Sequence, residues 1–301
     1  MNATPGKVLV SGSSGLVGSA LVASLATSGY QVTRLVRSGS SSEGQLVWDP
    51  FKPPAHESVS GFEAVIHLAG EPIVGRWTDG KKRHIVESRV LSTKHLAEAV
   101  ARASQPPQVL ISASAIGYYG NRGDEVLRED SGPGRQFASE LCLQWEGAAE
   151  PATAAGIRTL NLRFGIVLSA AGGALKQMLT PFRLGIGGNM GNGRQWMSWV
   201  DLQDVTAAIL HMLKTDTLRG PVNMTSPNPV TNAEFTKTLA SVLSRPAVCP
   251  MPAFAARLVF GQMADELLLS SQRVEPAKLL ASGYAFHQPD LRRSLQTMLN
   301  K

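Results

Sequence analysis

Short β-branched runs alternate with amphipathic stretches through the first half of the chain, the order that a parallel sheet flanked by helices requires. Lys7 to Ser11 (KVLVS) predicts a first strand. In residues 16–28 the apolar positions Val17, Leu21 and Leu25, with Ala20 beside them, share one helical face, and Gly29 ends the helix. Gln31 to Val36 predicts a second strand, and the Gly/Ser/Pro-rich passage 38–54 reads as loop. Further strands are expected at 64–68 (AVIHL), 108–112 (QVLIS) and 158–163, with helical spacing at 89–103 and 137–149. Beyond Arg163 the rhythm changes. Gly172-Gly173, Gly185, Gly187-Gly188, Gly191 and Gly193 punctuate a loop-rich stretch, and Pro227, Pro229, Pro246, Pro250 and Pro252 mark later breaks, so a smaller second lobe is expected. Within it, residues 254–280 carry a mostly helical pattern.

Composition narrows the class. With 301 residues, 43% of them apolar and 17% charged, the chain can bury a large core, which excludes disulfide scaffolds and disordered tails. The net charge of +6 is scattered; its densest cluster, Lys81-Lys82-Arg83-His84, reads as a solvated helix start, so an anionic small molecule is expected rather than nucleic acid. Two distant cysteines, Cys142 and Cys249, support neither a disulfide framework nor a cysteine zinc site. No helical His-x-x-x-His or comparable carboxylate set points to a metal. No apolar run approaches the ~20 residues of a membrane span, and Gly12, Gly15 and Gly18 interrupt the N-terminal apolar stretch, so neither a membrane segment nor a targeting segment is expected and the location reads as cytoplasmic.

The main chemical signal is Gly12-Ser13-Ser14-Gly15-Leu16-Val17-Gly18 between the first strand and the first helix. Glycines let the backbone turn tightly and approach a pyrophosphate, and the helix N-terminus offers free N–H groups with a partial positive charge. Strand, loop, helix and second strand follow in order, so Gly12, Ser14, Gly15, Leu16, Val17 and Gly18 are candidate dinucleotide contacts on a Rossmann-type α/β fold. At the end of the second strand, an Asp or Glu that would bind an NAD ribose is absent. Val36-Arg37 stands there instead, which favours NADP(H) over NAD through a cation for the 2′-phosphate. The segment Gly75 to Lys82 has Walker A spacing up to its lysine, but Lys82 replaces the Ser or Thr that would hold magnesium, so it reads as a loop leading into a helix.

A series of motifs then accumulates: Trp48-Asp49-Pro50, His67-Leu-Ala-Gly-Glu-Pro-Ile73, Ser88-Arg89-Val90, Ser112-Ala-Ser-Ala-Ile-Gly-Tyr-Tyr-Gly120, Trp145-Glu146, Leu162 to Leu168, Gly172 to Leu175, Gln195 to Trp199 and Gln272-Arg273-Val274. With the glycine loop, these resemble the extended short-chain dehydrogenase/reductase superfamily, in the atypical group of NAD-dependent epimerase/dehydratases and "SulA-family" nucleoside-diphosphate-sugar epimerases. The resemblance implies a doubly wound parallel sheet in residues 1–168, to which 200–225 returns, with a smaller substrate lobe from 169–199 and 226–301. Residues of about 248–296 resemble the C-terminal domain of unknown function DUF1731. The resemblance also implies cofactor contacts at Leu68, Ala69 and Gly70, at Arg89 where ordinary members carry a structural asparagine, and at Val167 near the nicotinamide.

Catalysis departs from that pattern. Ordinary members use Tyr-x-x-x-Lys, whose lysine lowers the tyrosine pKa so that the phenol exchanges a proton. The residues four after the four tyrosines here are Arg34, Arg122, Gly123 and Gln288. Phe137 or Ala138 stands near the tyrosine's place and Cys142, read as a buried small hydrophobe, near the lysine's. The remaining polar cluster is Ser112, Ser114, Tyr118 and Tyr119, in which Ser114 would orient a substrate oxygen and Tyr118 would handle the proton, unless these residues only shape a pocket. Many sugar-nucleotide epimerases place an arginine for the diphosphate where this chain has Met197, with Arg194 as a replacement candidate. Trp196 and Trp199 either face the substrate or pack between lobes. Two functions stay open: an NADP(H)-dependent oxidoreductase or epimerase acting on a carbonyl or alcohol, and a non-catalytic NADP(H)-binding sensor.

Overall fold

The computed structural model describes residues 6–38 and 44–300. Residues 1–5 of the expected first domain, and 39–43 of the Gly/Ser-rich passage, lie outside the described residues. Among the described residues, seven parallel strands form the central sheet: β1 (Lys7–Ser11), β2 (Gln31–Val36), β3 (Gln45–Val47), β4 (Ala64–His67), β5 (Val109–Ala115), β6 (Arg158–Phe164) and β7 (Gly220–Met224). Their spatial order, β7-β6-β5-β4-β1-β2-β3, reverses between β1 and β4, the point at which a doubly wound sheet opens a ligand crevice at its carboxyl edge. The fold is therefore the expected α/β, Rossmann-type doubly wound sheet.

Both faces of the sheet are covered. On one, Val8, Val10, Ile66, Ile111 and Leu162 pack with Leu21 and Leu25 of α1 (Leu16–Thr27) and with Val205, Ile209 and Met212 of the helix Leu202–Leu213. On the other, Leu9, Val65 and Leu110 pack with Leu96 and Val100 of α2 (Asp79–Ala101). Leu279 and Tyr284, far along the chain, also enter the first of these cores. Buried Asp204 ties this segment down by accepting from the Tyr284 hydroxyl at 2.9 Å and the backbone N–H groups of His287 at 2.7 Å and Gln288 at 2.9 Å. A separate core contains Leu175, Leu179, Phe182, Trp199, Phe235, Leu239 and Leu295.

Several elements differ from their sequence expectations. The passage read as loop contains β3, a short edge strand too brief to show a period. The helix expected at 89–103 begins ten residues earlier, at Asp79, because Thr78 caps it by accepting the Lys81 N–H. The segment 254–280 is not one helical stretch: it divides into Ala253–Phe260, a π-turn at Ala264–Leu268, a strand Arg273–Val274 paired with Val126–Leu127, and Ala277–Ala281. Gly261, at φ 61°, ends the first piece. Among the described residues, no helix is long and apolar enough to cross a membrane.

Candidate functional site

The glycine loop lies at the carboxyl end of β1, against the turn that follows β4. Gly12 has a φ of 68°, and a Cβ there would stand 2.6 Å from the Leu68 carbonyl carbon and 2.7 Å from the Ala69 nitrogen. Only glycine permits this backbone-to-backbone approach. A Cβ on Gly18, in the first turn of α1, would stand 2.1 Å from the Gly12 oxygen. Gly15 is the N-cap of α1 and supplies no side-chain cap, and no acidic residue occupies the first turn. The result is a glycine cradle at a helix N-terminus that carries neither a side-chain cap nor an acidic neighbour, an electrostatic setting that favours an anion.

Around the cradle, exposed Ser14 and half-buried Leu16 and Val17 follow the loop. The Leu16 side chain lies within 3.2 Å of the Cβ positions of Gly172 and Gly173, just past the strand Ile166–Leu168 that holds Val167. Leu68, Ala69 and Gly70 form the opposite wall. Arg89 is buried beneath them, donating to the Glu71 carbonyl at 2.9 Å and the Ile85 carbonyl at 3.3 Å, with its guanidinium 5.1 Å from the Trp145 ring centre. Burial pulls the Arg89 pKa down, opposed by the nearby Glu71 charge. Val36 closes β2 half-buried and Arg37 is exposed just beyond it. Beneath the site, His67 is fully buried between Ser11 (2.6 Å) and Ser92 (3.0 Å), and burial pulls its pKa down to about 4.

Ser114 and Tyr118 lie at and just beyond the end of β5, on opposite sides of a buried ion pair. The Ser114 hydroxyl, 2% exposed, donates to Glu146 Oε1 at 2.7 Å. Glu146, on α3 (Phe137–Gly147), receives two bonds from Arg163 of β6, at 2.8 and 2.9 Å. The Arg163 guanidinium stacks 3.5 Å from the Tyr118 ring centre and donates at 3.0 Å to the Tyr119 hydroxyl, which in turn donates to Asn223 at 2.7 Å. Burial opposes the Arg163 charge, yet the hydrogen bonds and charge of Glu146 hold its pKa above the ordinary value. Burial pushes the Tyr119 phenol up to about 12.

The positions of the missing tyrosine–lysine couple are occupied and closed. Phe137 packs edge-on to Trp77 at 5.1 Å, Ala138 is buried, and Cys142 is buried with its pKa pushed up to about 12 by desolvation. Trp199 is wholly buried and packs within the protein, whereas Trp196 is half-buried, with the Arg273 guanidinium 4.4 Å from its ring centre. Met197 is buried and Arg194 exposed. Glu146 and Arg163 lie within sequence motifs that do not by themselves assign them a role. Their signal was present as Arg163 between Leu162 and Phe164 near the end of a strand, and Glu146 beside Trp145 on a helix.

Residues 8–224 match the NAD dependent epimerase/dehydratase family model, and residues 251–298 match a domain of unknown function (DUF1731). An epimerase family protein of Mycobacterium bovis is 41% identical over 293 residues, covering 96% of both chains. The crystal structure of the human epimerase family protein SDR39U1 with NADPH aligns at TM-score 0.91 and 33% identity, covering 98% of this chain and 99% of that one. A nucleoside-diphosphate sugar epimerase from Corynebacterium glutamicum aligns at TM-score 0.83 and 39% identity, covering 98% of this chain and 58% of that one.

Proposed function

The chain belongs to the NAD dependent epimerase/dehydratase family, and from that premise we propose that it binds NADP(H) and acts as an atypical extended short-chain oxidoreductase or epimerase on a small carbonyl or alcohol. The observation that carries this reading is the uncapped glycine cradle with Arg37, and no acid, at the end of β2. In it, the α1 N–H groups and Gly12 to Gly18 receive the pyrophosphate, and Leu68, Ala69, Gly70 and Val167 line the length of the cofactor. Arg89 holds the Leu68–Gly70 turn from below, and Arg37 receives the 2′-phosphate. When bound, the nicotinamide would supply hydride chemistry; Tyr118 handles the proton, and Ser114 fixes the polar end of the site through Glu146. Residues 1–168 with 200–225 form the cofactor domain, and 169–199 with 226–301 the substrate lobe. The NADPH named in the human relative's structure supports the choice of dinucleotide.

A fluorescence titration with NADPH and NADH, repeated on Arg37→Ala, tests the reading. NADPH is expected to bind more tightly by about tenfold to a hundredfold, the worth of a charge-assisted contact of ~1.5–3 kcal/mol, and the variant to lose a large part of the difference. Equal affinities in the wild type, or no binding, would refute it.

The buried Ala138 and Cys142 favour a second reading, a dinucleotide-sensing protein without chemistry. Label transfer from deuterated NADPH to a metabolite, lost in Tyr118→Phe, supports the enzyme. Rescue of a deletion phenotype by Tyr118→Phe and Ser114→Ala, but not by Gly15→Glu, supports the sensor.

A further inference from the structure

We propose that Lys81 is a second cation of the 2′-phosphate subsite, held in the free protein by Glu71 and released to the phosphate when the cofactor carries one. This rests on the reading that the chain binds NADP(H). Ser11 of β1 pairs with Leu35 of β2 on one side and His67 of β4 on the other. The ends of β2 and β4 are therefore two strand spacings apart, about 10 Å. Arg37 leaves the sheet two residues past Leu35, and Glu71 leaves the same edge four residues past His67, directly after the Leu68–Gly70 wall.

Glu71 is fixed at both backbone groups: its N–H donates to Ser88 Oγ at 3.1 Å and its carbonyl accepts from Arg89 at 2.9 Å. Its carboxylate accepts from Lys81 Nζ at 2.7 Å, in a pair that solvent reaches on both sides. Lys81 is itself anchored, since its backbone N–H bonds the Thr78 cap of α2. The Glu71 carboxyl lies below its ordinary range, chiefly through the Lys81 hydrogen bond. Among the described residues, no hydrogen bond or salt bridge engages Arg37.

A phosphate monoester carries between about −1.5 and −2 charges, so one guanidinium leaves it under-neutralised. Lys81 is a cation held at this edge by Glu71, and that carboxylate already occupies it. A dinucleotide with the 2′-phosphate offers Lys81 the more highly charged partner. One without it leaves the Lys81–Glu71 pair intact. Lys81 therefore contributes to discrimination between the two dinucleotides and not to the affinity they share.

The test is a titration of NADPH and NADH against the wild type, Lys81→Met, Lys81→Arg, Glu71→Gln and Arg37→Ala, with thermal melts to verify folding. Lys81→Met is expected to weaken NADPH about tenfold and leave NADH unchanged, with Lys81→Arg retaining most of the preference. Glu71→Gln frees the lysine and is expected to strengthen NADPH by about two- to fivefold, the worth of an exposed pair, again without effect on NADH. If folded Lys81→Met shifts both dinucleotides equally or neither, or if Glu71→Gln weakens NADPH, the inference fails, whatever Arg37→Ala does. Loss of preference in Arg37→Ala alone keeps the parent reading and discards this one. Failure of the wild type to bind either dinucleotide removes both.

Discussion

Gly18→Ala and Gly80→Ala make the same chemical change near the start of two helices, and the structure gives them opposite signs. Helix propensity alone favours alanine by up to about 1 kcal/mol at either position. At Gly80 the added Cβ would meet only Thr78 Oγ1, at 4.0 Å, so the propensity term stands. At Gly18 it would meet the Gly12 oxygen at 2.1 Å, the Gly12 carbonyl carbon at 2.8 Å and Ser13 Cα at 2.9 Å, all backbone that no rotamer change can withdraw. The loop must retreat by more than an ångström, against β4-turn backbone that already touches Gly12 from the other side. Overpacking of this kind costs about 1–3 kcal/mol or more, so a net loss of about 2 kcal/mol remains after the propensity gain. With an unfolding entropy near 2.1 cal/mol/K per residue, a chain of this length loses about 3 °C in Tm for Gly18→Ala and gains about 1 °C for Gly80→Ala. The same retreat moves Gly12 away from the α1 N-terminus, so NADPH affinity falls at least about tenfold in Gly18→Ala and is unchanged in Gly80→Ala. Differential scanning calorimetry and the fluorescence titration measure both quantities. A Gly18→Ala protein as stable as the wild type and equally tight for NADPH would refute the cradle, because nothing in the close approach would then be needed.

Three other perturbations probe the ground beneath and beside the cradle. His67 is held at a pKa of about 4 against an ordinary 6.5, so between those values the unfolded chain binds a proton that the folded one refuses. Its contribution is full above about pH 6.5 and is lost as pH falls towards 4, at a limiting slope of about 1.4 kcal/mol per pH unit. Urea unfolding at pH 7 and pH 5 should show the wild type losing about 2 kcal/mol more than His67→Gln, and equal losses would contradict the assignment. Cys142 is buried with a thiol pKa pushed up to about 12, whereas Cys249 is exposed. Iodoacetamide at neutral pH is expected to label Cys249 in the folded protein, and modification of Cys142 without unfolding would mean that the core opens there. Glu146→Ala leaves the Arg163 guanidinium buried without its carboxylate and should cost about 3–5 kcal/mol in denaturant unfolding, whereas a loss below about 1 kcal/mol would show that water reaches the pair.

The first half of the fold was legible because each signal there is local. The bounds of β1 and β2 follow from β-branched runs set off by Gly12 after the first and Gly29 before the second, and the glycine loop declares itself by spacing. Where the structure departs, a non-local or weakly periodic cause is at work. β3 is three residues at a sheet edge, held by pairing to β2. The early start of α2 depends on one threonine cap whose helix is at first charged rather than amphipathic. The breaks after Phe260 depend on Gly261 and on a strand that exists because Val126–Leu127 is there to pair with it. Periodicity sees none of these, since each is decided by a partner distant in sequence or by a single residue.

The site was legible at its cofactor end and not at its chemical end, for a physical reason. A phosphate cradle is made of backbone, and glycine spacing records backbone directly. The polar cluster of Ser114, Glu146 and Arg163 is made of side chains from β5, α3 and β6, whose meeting depends on how the helix lies on the sheet. Ser114 and Arg163 are register partners on neighbouring strands, and Glu146 reaches both from above. Motif comparison registers the absent tyrosine and lysine as a vacancy, but the places are filled. A Cβ on Gly117 would stand 3.2 Å from the Ala138 Cβ and 3.9 Å from the Cys142 sulfur, so the turn after β5 rests on the two residues that replace the couple. Restoring a phenol and an amine at those positions would force this turn off the helix. The residues of the turn thus divide by access: Ser114 is turned inward to Glu146, Tyr119 is sealed by Arg163 and Asn223, and Tyr118 is the hydroxyl-bearing side chain of the cluster left half-exposed. Of Ser114, Tyr118 and Tyr119, Tyr118 is therefore the one whose side chain solvent reaches.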